Sequence, residues 1–171
     1  MSEKYYGKYR GTVLNNIDPM QKARLLVQVS DVLGGLSISS WAMPCVPVAG
    51  IQMGVYVLPV IGANVWVEFE SGDSNYPIWT GGFWGSAAEV PPLALAGIPG
   101  DPNMVMQTQG MYTLMLSDLA AGPVGGIMLK SPTGAFITVN DTGIYIDNGK
   151  GANITMVGPS ININMGALTI I

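Results

Sequence analysis

The C-terminal part of the chain alternates between apolar and polar residues in very short runs, and a glycine begins each run. These glycines are spaced 8, 9, 8, 7 and 8 residues apart, at Gly126, Gly134, Gly143, Gly151, Gly158 and Gly166. An alternation of period two predicts one strand of about four to six residues in each unit, followed by a turn. One face of every strand is Ile, Val, Leu or Met, and the other is mostly Thr, Asn, Asp, Tyr or Lys. A strand this short cannot bury one apolar face alone, so we expect copies of the same chain to cover it.

The N-terminal part shows strand patterns separated by turn residues, with no helical period that lasts more than a turn or two. Asp18 and Pro19 form a turn signal, so the runs on either side of them predict a hairpin. A polar loop at residues 71–75, with Gly72 suited to positive φ, separates two further strands. Five or six strands in about eighty residues predict a small closed barrel of the oligonucleotide/oligosaccharide-binding (OB) class. The predicted strands are 11–16, 23–29, 38–43, 55–60, 64–70 and 76–79.

Charged residues are concentrated in the first half of the chain. Of 7 Lys and Arg and 11 Asp and Glu, only Asp101, Asp118, Lys130, Asp141, Asp147 and Lys150 follow residue 91. This change predicts a domain at residues 1–90 and another at 104–171, joined by a Pro, Gly and Ala linker at 91–103. The mean hydropathy of +0.37 exceeds what a monomer of this size is expected to accommodate, so we expect an obligate oligomer.

The sequence predicts no catalytic, cofactor or metal site. The chain has no His and one cysteine, Cys45, which excludes nucleophile–histidine pairs, the usual zinc sites and an intrachain disulfide. We interpret Cys45 as a small buried side chain. Glu68 and Glu70 would lie on the same side of a strand, and a solvated barrel face explains them as well as a catalytic pair does. We therefore expect a protein that is not an enzyme.

Charge and composition also argue against nucleic-acid binding, membrane insertion and secretion. The net charge of -4 disfavours a nucleic-acid partner, because phosphate binding depends on clustered Lys and Arg. The uncharged stretch 43–67 is long enough to span a bilayer, but its prolines and glycines would break a helix and predict strands and turns. The N-terminus has no apolar stretch that would act as a secretory signal, so we expect assembly in the cytoplasm.

The order of these motifs resembles the central spike protein of contractile injection systems. That family includes the baseplate spikes of contractile-tailed phages, the valine-glycine repeat protein G of type VI secretion, and the spikes of R-type pyocins and extracellular injection systems. The resemblance covers nearly the whole chain. The segments that carry it are, in chain order, Asp18-Pro19, residues 23–29, Ala42-Met43-Pro44, residues 62–73, residues 77–81, Asp101-Pro102-Asn103, residues 113–118 and the glycine-separated strands.

The resemblance implies an all-β homotrimer, with an N-terminal OB-fold barrel followed by a C-terminal intertwined three-chain triangular β-helix. The apolar side of each strand would face the threefold axis, and each strand would pair with strands of the other chains. Roughly eight strands per chain, about 4.8 Å apart, would give a shaft on the order of 40 Å long. The predicted trimer core is Ile127, Leu129, Ile137, Val139, Ile144, Ile146, Ile154, Met156, Ile161, Ile163 and Met165.

The function that the resemblance implies is structural. The protein would belong to a phage tail or a phage tail-like particle, its barrel would bind a baseplate hub protein, and its shaft would puncture a target membrane on injection. Leu168, Ile170 and Ile171 would form an apolar end, so we expect a tip protein of the proline-alanine-alanine-arginine (PAAR) type, or an effector, to dock there. Some relatives carry a lysozyme domain before the shaft or a histidine-based metal tip, and this chain shows neither pattern.

Two alternative functions stay open at this point. A barrel of this class also suits a single-stranded nucleic-acid-binding protein, although the aromatic residues near its last strand lack basic neighbours. A passive trimeric fibre or adhesin would use the same kind of shaft and would need no hub or tip protein.

Overall fold

The computed structural model describes residues 3–35, 37–101 and 103–170, and strands make up most of its regular structure, which confirms the all-β expectation. The chain divides into two compact units, Met1–Ala87 and Ala88–Ile171. The first unit contains β1 (Tyr9–Asn15), β2 (Leu26–Gln28), α1 (Ser30–Leu33), β3 (Met43–Pro44), β4 (Ala49–Gly50), β5 (Met53–Gly54), β6 (Asn64–Phe69) and β7 (Pro77–Phe83). The second contains β8 (Met104–Gln107), β9 (Thr113–Ala121), β10 (Val124–Lys130), β11 (Phe136–Asn140), β12 (Gly143–Asp147), β13 (Asn153–Val157), β14 (Ser160–Ile163) and β15 (Leu168–Ile170). Single 3-10 turns lie at Glu70–Gly72, Ala87–Glu89 and Pro92–Ala96.

The first unit is built on a curled five-stranded sheet with the order β2-β1-β6-β7-β3. Neighbouring strands are antiparallel except β3 and β7, which are parallel. Leu25, just before β2, and Ala42, just before β3, exchange two backbone hydrogen bonds of 3.1 and 2.8 Å. Because β2 and β3 are the two edges of the sheet, these bonds close it into the small barrel that the sequence predicts.

The barrel interior is filled by apolar side chains that alternate with more exposed ones along each strand. In β6, for example, Val65 and Val67 are fully buried, whereas Trp66 between them is partly exposed. The indole of Trp79 donates a hydrogen bond of 2.9 Å to the carbonyl of Ala23, so its polar atom is paired inside the core. The core consists of Val13, Ala23, Leu25, Val27, Val29, Ala42, Val65, Val67, Phe69 and Trp79.

A buried ion pair holds the turn that follows β1. Arg24 donates hydrogen bonds to both carboxylate oxygens of Asp18, the shortest at 2.6 Å, and the Asp18 side chain is only 3% exposed. The backbone N–H groups of Met20 and Lys22 donate to the same carboxylate. The hydrogen bonds from Arg24 above all, and those from the backbone, lower the pKa of Asp18 well below its ordinary value. The predicted turn is therefore present and is fixed by a charged contact across it.

Two predicted strands of the first unit differ from the structure. The strand predicted at 38–43 is reduced to β3, Met43–Pro44, at its end. Residues 55–60 form no strand, and the short antiparallel hairpin of β4 and β5 lies just before them. Val57 in this segment is 63% exposed, so no packed sheet surface supports an extended ladder there. Residues 55–60 have a high strand propensity but no partner strand to pair with, which is why the prediction was wrong.

The prediction that Cys45 is buried was also wrong, since its side chain is exposed. Its backbone N–H donates a hydrogen bond of 2.9 Å to the carbonyl of Trp79, so the chain here follows β7. The neighbouring Val46 packs against the barrel core. Successive side chains of an extended segment point in opposite directions, so burying Val46 exposes Cys45.

The eight strands of the second unit pair with one another in strict chain order, from β8 to β15, and all pairs are antiparallel. The predicted number of about eight strands is confirmed. Each strand pairs with its neighbours in the same chain, so the expectation that it pairs with strands of other chains was wrong. Short turns return a chain directly to the adjacent antiparallel position, and this local connection decides the pairing.

Glycine is required at two of the turns because the backbone is crowded there. Gly143 begins β12 with a φ of 157°, and a Cβ atom at this position would collide with the carbonyl oxygen of Met156 on β13. Gly149 has a φ of 70°, and a Cβ atom there would lie 2.7 Å from the backbone nitrogen of Ala135. Gly143, one of the regularly spaced glycines, and Gly149, outside that spacing, thus lie where the backbone approaches a neighbouring segment closely.

We expect Leu25→Ala to lower the free energy of unfolding by about 2–5 kcal/mol, because Leu25 is fully buried and the substitution leaves a cavity in the barrel core. Urea unfolding followed by Trp fluorescence measures the change. Leu14→Ala, which truncates a partly exposed leucine on β1, is the matched control and should cost distinctly less. Equal losses in the two variants would contradict the assigned core.

We expect the Asp18–Arg24 pair to make stability depend on acid pH. Because folding lowers the pKa of Asp18 from its ordinary value of 3.8, its contribution is complete above that value and is lost as pH falls towards the pKa of the folded state. Asp18→Asn should therefore lower the thermal unfolding midpoint at pH 7, and the gap to the parent should narrow below about pH 4. Asp31→Asn, on the exposed surface of α1, is the control and should change the midpoint little at any pH. If the difference in midpoint between Asp18→Asn and the parent does not depend on pH, the stabilising role of the Asp18–Arg24 pair is refuted.

Candidate functional site

The apolar face of the second unit is a continuous surface made of two columns of aliphatic side chains. The strand register places Ile127 opposite Leu116 on one side and Val139 on the other, and the same alignment continues through every strand. Side chains that lie opposite each other in antiparallel strands share one face of the sheet. Column A consists of Met104, Leu116, Ile127, Val139, Ile144, Met156, Ile161 and Ile170. Column B consists of Met106, Leu114, Leu129, Ile137, Ile146, Ile154, Ile163 and Leu168.

Both columns remain open to solvent in the single chain. Ile127 is 54% exposed and Leu129 is 51% exposed, although both lie in the middle of a β-strand. Only the members on β13 and β14, near one edge of the sheet, are half-buried. Soluble monomers expose single aliphatic residues, but they rarely expose a continuous surface of this kind. The columns therefore identify a surface that contacts another polypeptide.

The opposite face of the same sheet carries more polar residues, and the chain itself covers the part of it at β11. Thr138 is fully buried, and its hydroxyl donates a hydrogen bond of 3.1 Å to the carbonyl of Pro123. The side-chain amide of Asn140 donates to the carbonyl of Gly122 at 2.8 Å. These bonds bring the tip of the β9–β10 hairpin over β11, and a register shift at Gly125 allows the hairpin to bend. The chain thus covers part of its polar face at β11 and leaves its aliphatic face open.

The structure places the predicted trimer-core residues on one face, with one exception. All of them lie in column A or column B except Met165, which sits in a turn with a φ of 56° and is 85% exposed. Of the residues predicted for tip docking, Leu168 and Ile170 continue the two columns onto β15. Ile171 lies outside the described residues.

The sequence analysis missed four members of the columns, on β8 and β9. Met104 and Met106 alternate with Val105 and Gln107, which is a weak period-two signal that could have identified them. Leu114 and Leu116 flank Met115, so the sequence shows three aliphatic side chains in a row and no polar face. Met115 is buried on the face opposite to the columns. Only the strand register shows that its side chain points away from those of Leu114 and Leu116.

The described residues form no cluster of side chains that would bind a metal ion. Among them, no three His, Cys, Asp or Glu side chains gather closely enough to hold a metal ion. Glu68 forms a partly exposed ion pair of 2.8 Å with Lys8, as expected of a solvated barrel face. Within residues 3–35, 37–101 and 103–170, no helix is long and apolar enough to cross a membrane.

Two family models match the chain, one for each unit. Residues 9–84 match the type VI secretion system/phage-baseplate injector OB domain, and residues 103–169 match the phage baseplate V C-terminal trimerisation domain. The chain belongs to the phage-baseplate and type VI secretion injector family. A search of curated proteins finds no match. The family resemblance and the OB-fold class drawn from the sequence are thereby confirmed.

The family match indicates that other copies of the chain contact the exposed columns. The matched trimerisation domain extends over the strands from β8 to β15, which carry both columns, so the match supports a homotrimer. Both matched families are structural baseplate components. This baseplate spike-family protein therefore has a structural role in an injector and belongs to a phage tail or a tail-like particle.

We expect Ile154→Lys to abolish the trimer and Thr155→Lys to leave it intact. Ile154 belongs to column B, whereas the next residue on β13 points to the opposite face, so the pair differs in the face that receives the charge. An unpaired ammonium buried between chains costs far more than one at the surface. Light scattering against the chain mass of 18.0 kDa gives the oligomeric state. Loss of the trimer in both variants, or in neither, would contradict the assigned interface.

Proposed function

We propose that three chains pack columns A and B around a common axis to form the shaft of a membrane-puncturing spike. The observation that carries this proposal is the pair of open columns, sixteen aliphatic positions that share one sheet face without a charged residue. Three such faces turned inwards would bury one another as the faces of a triangular prism. With eight strands about 4.8 Å apart, the shaft would be on the order of 40 Å long.

Such a shaft suits the transmission of force. Within each chain every strand is hydrogen-bonded to its neighbours in sequence, and the columns would tie each strand to two other chains. Local opening would then break contacts with all three polypeptides at once, so unfolding should be slow. We therefore expect the trimer to resist unfolding by heat in detergent, since this resistance depends on the rate of unfolding.

The first unit would seat the spike on a baseplate hub protein. Its match to an injector OB domain supports this role over single-stranded nucleic-acid binding. Trp66 and Phe83 lie against each other on the outer barrel surface, with ring centroids 4.7 Å apart. The guanidinium of Arg10 lies 5.8 and 5.3 Å from the two ring centroids. These aromatic rings are therefore occupied by each other and by Arg10, whereas base stacking needs an open aromatic surface.

The far end of the shaft would bind a tip protein of the PAAR type or an effector. Among the described strands, β15 forms one edge of the sheet, and Leu168 and Ile170 on it are each 53% exposed. An exposed strand edge with aliphatic side chains is a typical docking surface. A passive fibre or adhesin would have no need of such a partner, so co-purification with hub and tip proteins separates the two functions.

We expect Ile170→Asp to abolish binding of the tip protein while the spike remains trimeric, because the charge affects only the last strand of a long interface. Co-purification with the tip protein encoded by the same particle measures binding, and light scattering measures the trimer. Lys150→Asp, in an exposed turn between β12 and β13, is the charge-changing control and should bind normally. Full tip binding by Ile170→Asp would refute docking at this edge.

A further inference from the structure

A cleft lies on the face of the second unit that is opposite to columns A and B. Its volume is about 470 Å³, within the range of roughly 300–1,000 Å³ that is typical of small-ligand sites. The strand register places Tyr145, Thr155 and Asn162 side by side across its floor, on β12, β13 and β14. Asp147 and Asn153 pair in the same way, next to the loop that joins β12 to β13. This face lies outside the assigned trimer interface, so a ligand bound here would not compete with assembly.

Two turns bound this floor. Pro123, in the tip of the β9–β10 hairpin that lies over β11, lines the cleft, and so does Met165 in the turn between β14 and β15. The backbone N–H of Met165 donates a hydrogen bond of 3.3 Å to the side-chain oxygen of Asn153. In return, the backbone N–H of Asn153 donates to the side-chain oxygen of Asn164 at 3.1 Å. The cleft is therefore bounded by segments that the chain itself holds in place.

The turn at Met165 keeps a backbone conformation that residues other than glycine rarely adopt. Asn164 and Met165 have φ angles of 49° and 56°, both in the left-handed region. The Met165 side chain is 85% exposed, so its burial within the chain does not offset the cost of this conformation. Backbone strain of this kind is concentrated at ligand sites and other functional positions. The turn places a flexible, polarizable side chain beside the cleft.

Polar groups on the floor keep unused hydrogen-bonding capacity. Among the described residues, the hydroxyl of Thr155 and the side-chain nitrogen of Asn153 have no hydrogen-bond partner. Asp147 accepts a hydrogen bond of 2.6 Å from the N–H of Gly149 with one carboxylate oxygen, and its other oxygen stays available. Thr155, Asn153 and Asp147 are all half-buried. A ligand that displaces water from these groups has to supply donors and acceptors of its own.

Two aromatic rings supply the apolar part of the cleft. Phe136 on β11 and Tyr145 on β12 both line it and are half-buried. The hydroxyl of Tyr145 is hydrogen-bonded to that of Thr142 at 2.9 Å, which fixes the far end of its ring. Aromatic rings offer a large apolar surface at a low cost in conformational entropy. The cleft thus combines rigid apolar rings with amide, hydroxyl and carboxylate groups.

We propose that this cleft binds a neutral oligosaccharide. A sugar ring presents C–H groups on its faces and hydroxyl groups around its edge, so it matches aromatic rings that are flanked by polar side chains. Each sugar hydroxyl both donates and accepts, which suits the free carboxylate oxygen of Asp147 and the side-chain nitrogen of Asn153. This inference goes beyond the proposed function and does not depend on it.

The charge and polarity of the lining argue against other ligand classes. Asp147 is the single charged residue among the described lining residues, and no Lys or Arg accompanies it. An anionic ligand such as a phosphate or an acidic sugar would be repelled by this carboxylate and find no cation to pair with. A purely apolar ligand would leave the groups of Asp147, Asn153 and Thr155 without partners. A neutral ligand rich in hydroxyl groups meets both conditions.

Ligand-observed NMR on the full-length protein tests the site. The probes are the neutral trisaccharides maltotriose, galactotriose, mannotriose and triacetylchitotriose, each at up to about 10 mM, which would more than half-fill a site with a millimolar dissociation constant. At least one of them should receive saturation transfer from the protein at its C–H protons and give a dissociation constant on titration. Trigalacturonate, an acidic trisaccharide, should bind more weakly than the best neutral probe.

Two substitutions locate the binding. Tyr145→Leu removes an aromatic ring, and Asp147→Asn removes the charge but keeps an oxygen that can accept from Gly149. Each should weaken binding of the best neutral trisaccharide by about fivefold or more. Tyr112→Leu and Asp141→Asn are the matched controls, because both residues are exposed and lie outside the cleft lining. Both controls should bind as the parent does.

Three outcomes would refute the site: no neutral trisaccharide binds, trigalacturonate binds most tightly, or the control variants lose as much affinity as the cleft variants. Circular dichroism shows whether each variant is folded. If Tyr145→Leu is unfolded, Asp147→Asn, which hardly changes the side-chain volume, decides the question. Light scattering on the same samples keeps the proposed function separate. A trimer that binds no trisaccharide refutes the cleft alone, whereas a monomer that binds one supports the cleft and overturns the shaft.

Discussion

The structure of the second unit depends on an aliphatic sheet face that its own chain does not cover. Hydrophobic burial is the dominant favourable contribution to folding and association, and here much of it is available only between chains. The register aligns the aliphatic side chains in two columns along all eight strands, so no polar side chain interrupts the surface. In the proposed trimer, assembly and formation of the shaft would be one process for this unit. A protein built in this way gains its rigidity from the interface that also determines its oligomeric state.

The chain uses its own covering segment on the other face of the sheet. The β9–β10 hairpin tip is bonded to Thr138 and Asn140, and Met115 and Met128 on the same face are buried. The backbone carbonyls of Gly122 and Pro123 therefore accept hydrogen bonds from side-chain donors. This division leaves one face for the chain and one for its partners.

The first unit is organised by a different principle. Its core is closed within one chain, through the alternation of β1, β6 and β7 and the backbone bonds between Leu25 and Ala42. Several exposed apolar residues lie in the loop at 48–61, and others, such as Ile17, Ile38 and Tyr76, lie elsewhere on the unit. The two family matches follow the same division, since one is an injector OB domain and the other is a trimerisation domain.

Much of the second unit could be predicted from residue order alone. The spacing of the glycines and the alternation in segments such as 143–147 located the strands, because side-chain direction reverses at every residue of an extended chain. The same rule identified twelve of the sixteen members of the columns, including Ile137 and Ile146. It did not resolve 114–116, where consecutive aliphatic residues contain no alternation, and Met165 was assigned to the trimer core although its backbone turns there.

Sequence alone therefore determined the all-β class and most of the shared aliphatic face of the second unit. Those properties depend on composition and on local periodicity. Only the tertiary structure decided which strands pair, that Cys45 is exposed, that residues 55–60 form no strand and that a bent hairpin lies over β11 on the polar face. Each of these features depends on whether a distant segment of the chain is available to pair or pack with it. The local sequence pattern contains no information about that segment.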